Sequence, residues 1–189
     1  MARSEKKGHL FVVSAPSGTG KTTLCRLLQG AFDTLGYSVS HTTRKPRQGE
    51  VHGKDYFFVS HEAFEAMIRD HGLLEWAKVH GNYYGTSLSF IRESLDKGMD
   101  ILLDIDVQGA EQIVKHYPDA VTIFIMPPSM EALEQRLNAR ATDSKDVIET
   151  RIRNARDEIR KKDLYRHVIV NDKLDAATNE LFELIRSYL

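Results

Sequence analysis

Gly18, Gly20, Lys21 and Thr22 fall inside the run SAPSGTGKTT, with an apolar stretch, LFVVS, before it and the helically spaced LCRLLQGAF after it. Two glycines here let backbone N–H groups converge on an anion, and a helix opening directly behind them adds its positive end. Lys21 at this spacing reaches outer phosphates, and the Thr22 hydroxyl reaches a magnesium ion. Ala15 stands where the G-x-x-x-x-G-K-[ST] pattern has its first glycine, so the loop must accept a Cβ there. The alternative is a plain strand-to-helix turn with a surface lysine; the flanking strand and helix favour phosphate binding.

Other groups could serve the same chemistry. Arg44 and Arg47 flank Pro46, which disfavours a helix, and two guanidinium forks on a loop suit a dianionic phosphate as well as they suit a basic surface. Glu75 lies between Leu74 and Trp76. An exposed or salt-bridged role is the plainer reading; the other is a buried carboxylate accepting from the adjacent N1–H and N2 donors of guanine, a pair adenine lacks. Trp76, Tyr83 and Tyr84 beside it read as core aromatics. In MDILLDIDVQGAEQIV, Asp104 is placed like a magnesium-holding acid, and Asp106, two residues on, either faces the same site or caps the next helix. Arg136 and Arg140, spaced i,i+4 without an acid one turn before either, form a like-charge pair that calls for an anion. Arg151 has no acid at i±3 or i±4, whereas Arg153 has Glu149 and Asp157 and reads as a solvated face.

The elements that must hold these residues alternate. LFVVSA, the apolar run ending in Asp104, AVTIFIM and HVIVND read as buried parallel strands whose carboxyl ends open on a ligand site. Helices are expected at LCRLLQGAF, HEAFEAMIRDH, LSFIRESLDKG, Met130 to Arg140 and DAATNELFELIRSYL, and short strands and loops over YSVSHTTRKPRQGEVHGKDYFFV. ATDSKDV is small and polar, a suitable tip for a moving lid. The pattern predicts an α/β doubly wound parallel-sheet core. A length of 189 residues suits one domain. Lys and Arg total 26 against 27 Asp and Glu, a net charge of −1, so neither nucleic acid nor membrane is an expected partner. The single cysteine, Cys25, excludes an internal disulfide and reads as a small core residue. The eight histidines lack a zinc spacing. The polar start, MARSEKKGH, and the lack of a long apolar run lead us to expect a soluble, cytoplasmic protein, with Ala2 to Lys7 disordered.

SAPSGTGKTT, SVSHTTRKPRQGEVHGKDYFFV, GNYYGT, LDIDVQG, PPS with Arg136 and Arg140, and VIVND together resemble the guanylate kinases of the nucleoside monophosphate kinase group, over essentially the whole chain. The stretch from Ser38 to Tyr56 is the most specific part, and Ala15 fits the SAPSG form of the loop in bacterial members. The resemblance implies ATP-dependent phosphorylation of GMP, with Mg²⁺ as cofactor, by in-line transfer without a general base. It implies a core at 9–36, 88–128 and 160–189, an inserted mixed α/β GMP-binding part at 37–87 and a helical lid at 129–159. In such enzymes Arg44, Arg47, Tyr56 and Tyr84 hold the GMP phosphate, and Ser40, Glu75, Thr86 and Asp106 read guanine. Ala15, Pro16, Ser17, Gly18, Thr19, Gly20, Lys21, Thr22 and Thr23 wrap the ATP phosphates, Asn171 lies near adenine, and Thr22 and Asp104 hold magnesium, the latter through water. Lys21, Arg44, Arg136, Arg140 and Arg151 are the implied catalytic set. Ala141, where many relatives have glycine, bears on the lid's hinge and not on its charges. An inactive peptide-binding scaffold is the competing class, but such domains tend to lose the loop lysine or lid arginines kept here. A regulatory GTP hydrolase needs an N-K-x-D motif, which Asn171-Asp172-Lys173 does not match. Monomer and homodimer stay open.

Overall fold

The computed structural model describes residues 7–79, 81–139 and 145–189. In chain order the elements are β1 (Leu10–Ser14), α1 (Lys21–Ala31), β2 (Gly36–Tyr37), β3 (His41–Thr42), β4 (Phe57–Phe58), α2 (His61–Arg69), β5 (Leu73–Val79) and β6 (Asn82–Ser87). They continue with α3 (Leu88–Asp96), β7 (Ile101–Asp104), α4 (Val107–His116), β8 (Val121–Met126), α5 (Met130–Ala139), α6 (Lys145–Ile159), β9 (His167–Val170) and α7 (Leu174–Arg186). No helix among the described residues is long and apolar enough to cross a membrane.

The core is a five-stranded parallel sheet in the order β2-β7-β1-β8-β9. All five residues of β1 are buried, because a parallel strand covered by helices on both faces must be apolar on both. Phe11 and Val13 point to the side that α1 and α7 cover, where Leu24, Leu28, Leu181 and Ile185 meet them. Leu10 and Val12 point to the other, toward Ile91 of α3 and Ala110 and Ile113 of α4. Cys25 is buried with the first group, as expected of a small core residue. With β1 in the centre, its carboxyl end opens where neighbouring strands lead their connections apart, the crevice in which such sheets place ligands.

A second, mixed sheet runs β4-β3-β6-β5. Tyr37, expected at the start of the inserted part, instead pairs with Leu102 in the core sheet, and Ser38 N–H donates to Leu102 O; the second sheet begins at His41. β5 and β6 form its hairpin, and a bulge between Leu73 and Glu75 breaks their register. The bulge puts Leu74 and Glu75 both inside and turns Trp76 out, 38% exposed, against the reading of Trp76 as core. α5 and α6 pack on each other through Leu133, Leu137, Ile148 and Ala155, a small core of their own. Arg140, Ala141 and most of the ATDSKDV segment fall outside the described residues, as do Ala2 to Lys6.

Candidate active site

The loop between β1 and α1 turns through Gly18 and Gly20, at φ 93° and 92°. Both lie in the left-handed region where side chains are strained, and neither has room for one. A Cβ on Gly18 would stand 2.8 Å from Leu137 Cδ2, and one on Gly20 2.6 Å from Asn171 Nδ2. Ala15 is not among the positive-φ residues, which is why the loop accepts it. Gly20 is the N-cap of α1, with no side chain closing the helix, so its first N–H groups are left for an anion.

Lys21 Nζ lies 2.6 Å from Asp104 Oδ1 and donates to Ile105 O at 2.6 Å. Burial alone would lower its pKa, but the Asp104 charge and hydrogen bond outweigh it and hold the ammonium above its ordinary value. Asp106 caps α4 by accepting from Gly109 N–H at 2.8 Å, and capping does not take it out of the cavities, which it also lines.

Two cavities meet here. One, of about 710 Å³, is walled by all of Ala15 to Thr23 together with Asp106, Arg151 and Glu158. The other, of about 280 Å³, is lined by Ser40, Arg44, Arg47, Tyr56 and Tyr84, and by Glu75 and Asp106. Lys21, Thr22 and Asp106 belong to both.

Cations and phenols share the second cavity with carboxylates. Arg44 stacks over Tyr56 at 5.3 Å and over Phe58 at 5.9 Å. Its guanidinium is already gripped: Nη1 and Nη2 donate to Glu50 at 3.0 and 2.8 Å, and Nη1 to Lys45 O at 2.8 Å. Arg47 N–H donates to the same Glu50 carboxylate at 2.7 Å. Glu50 escaped the sequence reading; its one signal was its place in the RKPRQGE turn, three residues after Arg47. Glu75 is 4% exposed and accepts from Thr86 Oγ1 at 2.6 Å. Thr86 is fully buried behind it. Burial is the chief reason the Glu75 carboxyl is pushed up to about 7, with Asp106 adding to it. No cation pairs with Glu75 among the described residues, so the exposed or salt-bridged reading gives way.

Glu158 on α6, likewise unanticipated, is pushed up to about 7 by burial and by the Asp106 charge. Arg151, from the same helix, donates through Nη2 to Ser17 Oγ at 3.0 Å and thus reaches the phosphate loop. Arg136 does not. Its Nη1 and Nη2 donate to Asn171 O at 2.8 Å and Asp172 O at 3.1 Å, the carbonyls that directly follow β9. Asn171, expected beside a base, is 5% exposed and lines neither cavity; its Nδ2 donates to Thr19 O at 2.7 Å. It braces the phosphate loop from behind. Asn171→Ala is expected to leave that carbonyl unpaired and cost about 1–3 kcal/mol of stability, read as a lower melting temperature. An unchanged melting temperature would mean the loop is held without it.

A family model described as guanylate kinase matches residues 7–188. The guanylate kinase of Geobacter sulfurreducens is 51% identical over 181 residues, covering 96% of this chain and 89% of the relative. That of Geobacter metallireducens is 50% identical with the same coverage. The crystal structure of guanylate kinase from Anaplasma phagocytophilum superposes with a TM-score of 0.77 at 35% identity, covering 96% of this chain and 86% of that one. A phosphate loop joined through Lys21 to a second cavity with arginines and a buried carboxylate, and likeness of this extent in sequence and structure, lead to one conclusion: the chain belongs to the guanylate kinase family.

Proposed function

We propose that this chain transfers the γ-phosphoryl group of ATP directly to the phosphate of GMP, giving ADP and GDP. The observation that carries the proposal is the shared border of the two cavities at Lys21, Thr22 and Asp106. A phosphoryl group passed between nucleotides must cross such a border. ATP phosphates lie in the loop Ala15 to Thr23. The GMP phosphate lies against Arg44, Arg47, Tyr56 and Tyr84, and guanine toward Ser40, Glu75, Thr86 and Asp106.

A GMP phosphate oxygen, anionic near neutral pH, attacks the γ-phosphorus. A new P–O bond forms as the bond to the β–γ bridging oxygen breaks, and ADP leaves with that electron pair. No proton has to move, so no general base is required. Lys21 and Arg151 meet the developing charge; Arg136 and Arg140 join them when the lid formed by α5 and α6 closes.

Magnesium fits the residues present. It keeps several waters and takes only one or two protein ligands beside substrate phosphates. The Thr22 hydroxyl would hold it directly and Asp104 through water, and it would neutralise charge on the ATP phosphates. Since ATP and GMP are intracellular nucleotides, the reaction supports a place in the cytoplasm.

ADP release from ATP and Mg²⁺ with GMP, AMP, CMP or UMP as acceptor tests this. GMP alone should sustain turnover. Equal turnover with AMP would overturn the guanine assignment, and none with any acceptor would overturn the kinase reading.

A further inference from the structure

β5 is an edge strand of the second sheet, and the outward backbone groups of such a strand need partners. At Trp76 they are met by one side chain of the core. Gln112 Nε2 donates to Trp76 O at 2.7 Å, and Trp76 N–H donates to Gln112 Oε1 at 3.2 Å. The carboxamide thus gives one donor and one acceptor, as a further strand would. The other Nε2 proton goes to Gln108 O at 3.2 Å, which ties the side chain to its own helix.

Asp106, Gly109 and Gln112 are spaced by three and lie along one strip of α4 and its cap. Glu75 precedes the clamped residue, and its Oε2 packs over Gly109, where an added Cβ would fall well inside contact distance. α4 therefore offers in sequence an acid, a gap and a clamp, and the gap and the clamp fit consecutive residues of β5. The Thr86 hydroxyl donates to the other oxygen, Oε1. Placement of Oε2 depends on how β5 lies against α4.

We infer that Gln112 is a positioning residue for guanine recognition: by locking the outer edge of β5 to α4, it sets the Glu75 carboxylate at the depth where the base meets it. The inference rests on the reading of Glu75 as the guanine acceptor under the proposed function.

The test compares Gln112→Ala and Gln112→Glu with wild type, measuring kcat and KM for GMP and for IMP, which lacks the 2-amino group, and KM for ATP. Gln112→Glu keeps the side chain's length and its acceptor but removes the donor to Trp76 O. With two hydrogen bonds gone, KM for GMP is expected to rise about tenfold in Gln112→Ala, with a smaller rise in Gln112→Glu. The preference for GMP over IMP should fall in both, while kcat and KM for ATP stay within about twofold. In a Glu75→Gln background, Gln112→Ala should change KM for GMP by less than about twofold, because it acts through a group already removed. Unchanged KM for GMP and an unchanged GMP to IMP preference would overturn the inference while wild-type turnover with GMP left the kinase reading standing. So would a parallel loss in kcat and in KM for ATP, which marks general loosening, or a full additional effect on top of Glu75→Gln. A wild-type chain inert with GMP would bring down the underlying reading instead.

Discussion

Lys21→Ala is expected to cut kcat with ATP and GMP by about 10³-fold or more, the scale of losing a charge aimed at a transferring phosphoryl group. The ammonium lies where the two cavities meet, 2.6 Å from both Asp104 Oδ1 and Ile105 O. It stays charged throughout the neutral range, because Asp104 more than offsets the burial that would discharge it. Alanine would also leave Asp104, 12% exposed, without its cation, so some stability goes with the activity. Lys21→Met, which keeps the apolar stem, separates the two effects. Both variants should lose turnover measured by ADP release, and melting curves gauge the structural share. Turnover within tenfold of wild type in Lys21→Met would remove Lys21 from the transfer step.

Glu75→Gln should lower kcat/KM for GMP by about 10²-fold, since one of two charge-assisted bonds is lost and an amide N–H is turned toward a donor of the base. The same change is expected to stabilise the protein. Burial raises the folded-state pKa of Glu75 to about 7, above the ordinary carboxylate value. Its contribution to stability is therefore fully present below that ordinary value and is lost as pH rises through about 7. A neutral amide carries no such cost, so Glu75→Gln should melt higher than wild type at pH 8, with a smaller difference at pH 5. The amide oxygen can still accept from Thr86. In wild type, kcat/KM for GMP should fall as pH drops below about 7, where the protonated carboxyl stops accepting from both base donors. GMP's own phosphate titrates near pH 6 in both proteins, so the informative quantity is the ratio of the two profiles. A ratio flat from pH 8 to 6 would exclude Glu75 as the acceptor.

Much of this was legible because it is local. The phosphate loop needs only a strand, two glycines and a helix in succession, and the run from Leu10 to Leu28 contains all of them. Asp104 could be placed because it ends an apolar run. What sequence could not show was where distant backbone would offer an acceptor. Asn171 and Arg136 carry chemistry suited to a nucleotide, yet in this structure Asn171 donates to Thr19 O and Arg136 to the carbonyls of Asn171 and Asp172. These pairings form only once β9 is set beside β8, which brings Asn171 to both the phosphate loop and Arg136. Glu75 hid for a different reason. Simple alternation makes neighbours in a strand face opposite sides, whereas the bulge after Leu73 buries Leu74 and Glu75 together. Gly109 and Gln112 lay in view within VQGAEQIV, but their significance depends on a strand that crosses α4 from far earlier in the chain.

Trp76 is the only tryptophan in the chain. The bulge turns it outward, edge-on to Tyr83 at 5.8 Å, on the strand that carries Glu75. Its indole is a built-in optical reporter at the acceptor end of the molecule, remote in sequence from the loop that takes the donor. Emission excited at the indole band should therefore shift when GMP is titrated and respond much less to ATP alone. Filling of one cavity could then be followed in the unlabelled protein, in real time, without turnover.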